Sequence, residues 1–364
     1  MSYKNQPRVR EHLSNVSRPD WGCQRARNPD LLWLDKNENM DPTYLEVVKR
    51  VYLEVLGHNI NTYPETGRLY HKLANKLNFS PKNILFSAGS DGAIRSAFEA
   101  FVSPGDVVIY PQPTFAMYSV YAKIYEAEAC PFEYETVEGE PRLNVEELIN
   151  LIRQLRPKML CLPIPDSPTG SVIEPNDLKE IIEESAKVNT LVLVDEAYYP
   201  FYSHTVLPWV KDYPNLMLTR STGKAWGMAG FRLGYAVASE SIIDGLQKVK
   251  SMYETNTLAF SVFERLLDFE VEMFASVERL EQGKQYFIDE MKKLGFHTLK
   301  GYGNFLHVNF GDYASVIHKN LEHVVYYRLD FSEPCLKGYS RFSSTTIENF
   351  IPVVKKIKYS MEEI

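Results

Sequence analysis

NILFSAGSDGAIRSAFEAFVSPGDVVIYPQPTF, residues 83–115, reads as strand, turn, helix and strand in quick succession. Ile84–Ser87 form a short apolar run, and the small residues Ala88–Gly92 make a turn. A helix is predicted from Ala93, because Ile94, Ala97, Phe98 and Phe101 fall on one helical stripe. SPGD stops it, and VVIY supplies the next strand. Working outward, helical spacing recurs in TYLEVVKRVYLEVL (43–56) and GRLYHKLANKLNF (67–79). Downstream, the helices EELINLIRQL and DLKEIIEESAKV alternate with the strands KMLCLPIP and TLVLVDEA; LMLTRS and LGYAVAS follow as strands. Aliphatic strands without polar alternation, separated by helices, predict an α/β fold with a mostly parallel sheet covered on both faces.

After about residue 250 the texture changes. A long helical region, AFSVFERLLDFEVEMFASVERLEQGKQYFIDEMKKLG, leads to FLHVNF, HVVYYRLD and a last helix, TIENFIPVVKKI. The expected organisation is an N-terminal arm (1–42), a large domain (43–250) and a smaller α+β domain (251–364). No Gly/Ser-rich linker separates the lobes, so they are expected to pack closely. The 364 residues are 45% apolar and 24% charged, ample for a large core. A net charge of −7 argues against bulk electrostatic binding of nucleic acid. Cys23, Cys130, Cys161 and Cys335 are scattered, with no CxxC pair, which predicts reduced thiols and no metal site. No signal-peptide pattern or membrane-length apolar run is seen, so a cytoplasmic protein without membrane partners is expected.

Four stretches could carry chemistry. In RSTGKAWGMAGFRLGY (220–235), Lys224 fails the phosphate-loop pattern: Leu218 stands where a glycine is needed, and Ala225 where a hydroxyl is. A surface lysine is the plain alternative. Ser221, Arg232 and the intervening small residues instead suit close approach of a planar phosphorylated ligand, with Lys224 free to attack a carbonyl as a Schiff-base lysine. In LVLVDEAYYPF (191–201), Asp195 ends a buried strand; it either caps a loop or pairs with a protonated ring nitrogen, with Tyr198 reaching the same ring. AGSDGA (88–93) opens a helix and offers free N–H groups to an anion. PIPDSPTG (163–170) is a rigid turn.

Taken together and in this order, the stretches resemble the pyridoxal-phosphate-dependent aminotransferases of fold type I, class I/II, and within them the histidinol-phosphate aminotransferase-like branch. The likeness runs from about residue 30 to the C-terminus. It is carried by DKNEN (35–39), YPE (63–65), GSDGAI (89–94), PGDVV (104–108), PTFAMY (113–118), SPTG (167–170), VDEAYYPF (194–201) and STGKAWGMAGFRLGY (221–235). The resemblance implies pyridoxal 5'-phosphate as cofactor, anchored covalently on Lys224, with Asp195 on its ring nitrogen and Tyr198 on its ring oxygen. It also implies a phosphate cup of Ser90, Asp91, Gly92, Ser221 and Arg232, a stacking ring at Phe115, and Tyr63 reaching the neighbouring subunit's site in a homodimer. Arg341, in GYSRFS, matches a clamp for the substrate's carboxylate or phosphate, and Asn37 a residue on the substrate side.

Three departures bear on the substrate. Ser167 stands where the family has asparagine as a partner of the ring oxygen, and Asp166 beside it adds a carboxylate that could meet a substrate amine or hydroxyl. Gly223 replaces a serine of the phosphate cup, and Met40 a proline. The implied reaction moves an amino group from a donor such as glutamate to a small phosphorylated ketone or aldehyde. A decarboxylase of phosphoserine- or phosphothreonine-type amino acids on the same scaffold is the alternative. A cofactor-sensing regulator would need a DNA-binding domain, for which the arm is too short.

Overall fold

The computed structural model describes residues 8–14, 16, 26–57 and 61–362. Much of the expected arm, and Cys23, therefore lie outside the described residues. The first half contains β1 (Leu32–Trp33), α1 (Pro42–Val55), α2 (Gly67–Leu77), β2 (Ile84–Ser87), α3 (Gly89–Phe101), β3 (Val107–Gln112) and α4 (Met117–Ile124). Then come β4 (Glu128–Glu133), β5 (Glu135–Val137), β6 (Glu140–Arg142), α5 (Val145–Leu155), β7 (Met159–Pro163), α6 (Pro175–Lys187), β8 (Leu191–Asp195) and β9 (Leu216–Ser221). Next are β10 (Gly234–Ala238), α7 (Glu240–Val249), α8 (Thr257–Leu266), α9 (Glu270–Lys293) and β11 (His297–Thr298). The chain closes with β12 (Phe305–Asn309), α10 (Ala314–Leu321), β13 (Val325–Tyr326), β14 (Tyr339–Ser343) and α11 (Ile347–Glu362).

Seven strands form the central sheet in the order β2-β10-β9-β8-β7-β3-β4. The pairs from β9 to β4 are parallel, and only β10 runs against its two neighbours. The apolar strands serve two cores at once. Leu160, Leu162, Val192 and Val194 face one core with α1, α2, α5, α6 and α8. Met159, Cys161, Leu191 and Leu193 face the other, with α3, α4 and α7. This two-sided burial is why these strands read as continuous aliphatic runs.

Two expectations are corrected. Helix α3 begins at Gly89 rather than Ala93, because Gly89–Gly92 wind into its first turn despite their low helix propensity. The long C-terminal helical region is two helices, α8 and α9, separated by a 3-10 turn at Leu267–Phe269. α8 and the first half of α9 bury Phe263, Met273 and Leu280 in the core of α1 and α2. The second half of α9 enters a C-terminal core with Phe287, Met291, Leu306 and Phe342, where Leu34 of the N-terminal segment also sits. There β12 pairs antiparallel with β11 and β14, and β1 pairs parallel with β13. Segment 34–41 thus crosses from the C-terminal core to α1, over the ends of the parallel strands.

Candidate active site

The carboxyl ends of parallel strands are where open α/β sheets hold ligands. Here they frame a cavity of about 190 Å3. β7 ends at Pro163 and sends Pro165 and Ser167 into its wall; β8 ends at Asp195 and leads to Tyr198; β9 ends at Ser221 and leads to Lys224. The first turn of α3 adds Gly89, Ser90 and Asp91, and Phe115 and Arg232 complete the wall. Residues scattered over more than a hundred positions therefore meet because each follows a strand of one sheet.

Segment 35–37 bonds to two of these side chains, Lys224 and Tyr198, and to Arg341 behind them. Lys224 Nζ donates to Lys36 O at 2.9 Å. Arg341 Nη2 donates to Asp35 O at 3.2 Å. Asn37 Nδ2 donates to the Tyr198 hydroxyl at 2.9 Å, which leaves the phenolic proton free to point into the cavity. Asn37 is buried, with its backbone in the left-handed region that asparagine tolerates, and its N–H donates to Ser343 Oγ at 2.8 Å. It is thus a support for Tyr198. The segment is pinned by Arg27, whose guanidinium reaches Asp35 at 2.9 Å and Glu38 at 2.7 Å.

Asp195 is buried and accepts from Thr219 Oγ1 at 2.7 Å. Among the described residues no cationic side chain pairs with it. Burial pushes its carboxyl up to about 7, against the pull of Thr219 and the Ala197 N–H. The neighbouring Glu196 is neutralised by Arg220 at 2.9 Å, and that guanidinium lies 3.6 Å from the Tyr199 ring centre.

The first turn of α3, Arg232 and β10 meet by close backbone approach. A Cβ added at Gly234 would stand 2.4 Å from Ser90 N, and one at Gly89 would stand 2.9 Å from Arg232 Nη2. Only glycine lets β10 and Arg232 come this near the first turn of α3, whose N–H groups lack intrahelical acceptors. Gly223, the missing serine of the cup, donates its N–H to Ser221 Oγ at 3.1 Å. A Cβ there would crowd Ser221 Oγ and Ala229 Cα, both at 3.3 Å.

The donor set fits pyridoxal phosphate. Helix N–H groups, Ser221 and Arg232 suit a phosphate, and the uncompensated Asp195 suits a protonated ring nitrogen. The partly exposed Phe115 ring suits stacking, and Lys224 suits covalent anchoring.

Not every expected residue lines the cavity. Gly92 turns toward Glu254, whose Oε1 accepts from Ala88 N at 3.0 Å. Tyr63 is 70% exposed and stacks on Tyr253 with centroids 3.9 Å apart, outside this cavity. Asp166 does not face a substrate group: it is fully buried, with both carboxylate oxygens taken by Thr114 and Tyr134. Arg341 lies just behind the wall, and its Nη1 donates to Ser167 Oγ at 3.2 Å.

The structure also adds residues. Arg328 is joined to Arg341 by a two-way backbone bridge, and both guanidinium groups lie over Phe331, at 5.4 Å and 5.9 Å. Neither arginine has an acidic partner among the described residues. His307 on β12, paired directly with Arg341 on β14, is fully buried, and burial with the charge of Arg341 lowers its pKa to about 3. A neutral imidazole therefore backs the arginine. Sequence spacing gave no sign of either residue, because only strand pairing brings them together. The described residues hold no metal-binding cluster and no helix long and apolar enough to cross a membrane, and Cys130, Cys161 and Cys335 are free thiols.

The state of Asp195 sets a pH signature. Its folded pKa of about 7 lies above the ordinary carboxylate value of about 3.9. The cofactor-free folded protein therefore holds a proton that the unfolded chain loses, and stability falls as pH rises from about 4 to about 7. A cationic ring nitrogen beside Asp195 removes that dependence. The difference in melting temperature between cofactor-loaded and cofactor-free protein is thus expected to widen with pH over this window and then level off, as calorimetry would show.

The family described as aminotransferase class I and II matches residues 29–357. A histidinol-phosphate aminotransferase of Thermoanaerobacter sp. (strain X514) is 35% identical over 326 residues, covering 86% of this chain and 89% of its own. That of Thermoanaerobacter pseudethanolicus is 36% identical over 319 residues, with the same coverage. Among solved structures, the histidinol-phosphate aminotransferase of Sinorhizobium meliloti in complex with pyridoxal-5'-phosphate superposes with a TM-score of 0.80 at 20% identity, covering 91% of each chain. That of Clostridium acetobutylicum gives 0.78 at 18%, covering 92% of this chain and all of its own. At such identities the solved structures speak for the fold alone, whereas the match over 29–357 places the sequence itself: the chain belongs to the class I and II aminotransferases, pyridoxal-phosphate-dependent enzymes of fold type I.

Proposed function

We propose that this aminotransferase moves an amino group between a donor such as glutamate and a small phosphorylated ketone or aldehyde. The observation that carries the reading is the pairing, across one cavity, of the Lys224 amine with the uncompensated buried carboxylate of Asp195. The phosphorylated substrate is supported by Arg328 and Arg341, two guanidinium groups over one ring without acidic partners, suited to an anion of more than one charge. The names of the relatives at 35–36% identity point the same way.

When bound, pyridoxal phosphate supplies an electron sink that stabilises negative charge at the substrate α-carbon. Asp195 would hold a proton on the ring nitrogen. Tyr198, oriented by Asn37, donates its free proton toward the ring oxygen. Lys224 Nζ, once the substrate amine has displaced it, would take the proton from the substrate α-carbon and deliver it to the cofactor carbon that had held the lysine. Arg341 and Arg328 fix the substrate's anionic group, so that the C–H bond rather than the carboxylate bond is held for cleavage.

The exposed Tyr63 is available to a second copy of the chain, which supports a homodimer in which it completes the neighbouring site. A cytoplasmic location accords with the free thiols. The decarboxylase alternative is not favoured, since the relatives carry aminotransferase names.

A half-reaction tests the reading. Cofactor-loaded enzyme mixed with glutamate alone is expected to give one equivalent of 2-oxoglutarate per site and no carbon dioxide. A phosphorylated keto or aldehyde acceptor then restores the starting absorbance. Carbon dioxide release without any keto acid would overturn it.

A further inference from the structure

Amino transfer leaves Asp166 without a part. It is fully buried, outside the cavity wall, yet a neighbour of Ser167 in that wall. Its Oδ1 accepts from Thr114 Oγ1 at 2.7 Å and its Oδ2 from the Tyr134 hydroxyl at 2.8 Å, and the Ser167 N–H faces the same carboxylate. Its backbone closes the turn: the N–H donates to Ser171 O at 2.9 Å, and the carbonyl accepts from Gly170 N at 2.7 Å.

Two routes lead from this carboxylate to Arg341. In the first, Ser167 Oγ accepts from Arg341 Nη1 at 3.2 Å. In the second, Tyr134 packs against a C-terminal cluster containing Phe331, Cys335 and Leu336, and Phe331 is the ring beneath both arginines. Arg341 depends on such supports. Its two hydrogen bonds are both 3.2 Å long, and its Nε finds no partner. A guanidinium so loosely bonded takes its direction from the groups that pack around it, and a small displacement is enough to spoil a bidentate contact.

We propose that Asp166 is a positioning residue for anion recognition: its carboxylate, clamped by Thr114 and Tyr134, fixes Ser167 and Phe331, and through them the guanidinium of Arg341. The proposal rests on Arg341 being the substrate's anion clamp. The ionised form matters because a carboxylate accepts charge-assisted bonds from both hydroxyls at once, whereas the protonated acid donates to one of them, reversing that bond and weakening both. The titratable groups around it are Tyr134 after β4, Tyr118 on α4, Cys335 in the C-terminal lobe and Asp195 at the end of β8. Burial is the largest influence and pushes the Asp166 carboxyl up to about 7; Asp195 adds a smaller upward push. Affinity for an anion therefore weakens as pH falls below about 7.

The test uses cofactor-loaded enzyme and glutarate, a dicarboxylate without an amino group, with dissociation constants measured by calorimetry from pH 6 to pH 8.5. Wild type is expected to bind more weakly below about pH 7. Asp166→Asn is expected to weaken binding about tenfold at pH 8, the scale of one lost charge-assisted hydrogen bond, and to flatten the pH profile. Its KM for glutamate rises more than its kcat falls. Tyr134→Phe keeps the carboxylate and removes one bond to its ionised form, so the break moves to higher pH. That variant also serves if Asp166→Asn does not fold. Wild-type affinity and profile in both variants, or a loss of thermal stability alone, overturns the proposal. Arg341→Lys is the control: if it too binds glutarate like wild type, the clamp reading fails instead.

Discussion

Replacing Lys224 by alanine is expected to lower kcat for amino transfer by on the order of 10⁴-fold or more. The amine lines the cavity wall, held by a 2.9 Å bond to Lys36 O. Both roles assigned to it, covalent anchor and proton carrier, vanish together. Arginine at this position keeps the charge but cannot take up a proton near neutral pH, so Lys224→Arg is expected to be as inactive as the alanine variant. The phosphate cup of Ser90, Ser221 and Arg232 is untouched in both. Equilibrium dialysis should therefore find pyridoxal phosphate still bound, at reduced affinity, in a protein that no longer turns over. A variant that kept more than about a hundredth of the wild-type kcat, the span that separates a helpful group from an essential one, would be incompatible with these roles.

Asp195→Asn is expected to separate activity from stability. The amide keeps the shape and an acceptor for Thr219 Oγ1, but it carries no charge to hold a proton on a ring nitrogen. With that proton lost, the electron sink weakens, and kcat is expected to fall by about 10³-fold. The cofactor-free protein should respond in the opposite sense. A carboxyl held at about 7 costs the folded state about 4 kcal/mol once it ionises, and the amide removes that cost. At pH 8 the cofactor-free variant should therefore melt above cofactor-free wild type, while at pH 4 the two should nearly coincide. Such a reversal is characteristic of a group selected for chemistry rather than for folding.

Most of the residues expected to hold the cofactor meet in one cavity because they follow buried strands within a few positions; Arg232 comes in from the turn that precedes β10. Asp195 closes an aliphatic run, and Lys224 lies three residues beyond β9. Strand ends of a parallel sheet converge by construction, so local pattern carried tertiary information. The apolar stripe does not reveal the start of α3 because Gly89–Gly92 are poor helix formers, and Gly89 enters the first turn with a positive φ. The substrate half was less readable. Arg328 and His307 approach Arg341 through antiparallel pairing among residues that carry no motif of their own. Asp166 looked like a group for substrate because it sits in a cavity-lining turn, but the turn directs it inward to Thr114 and Tyr134. Asn37, expected on the substrate side, donates to the Tyr198 hydroxyl.

The central claim is that Lys224 carries the cofactor. Borohydride reduction of the loaded enzyme, proteolysis and mass spectrometry of the peptides test it most directly. The expected result is one phosphopyridoxyl group per chain, on the peptide containing Lys224 within STGKAWGMAGFR. A stoichiometric label on any other lysine, or none at all, would contradict it.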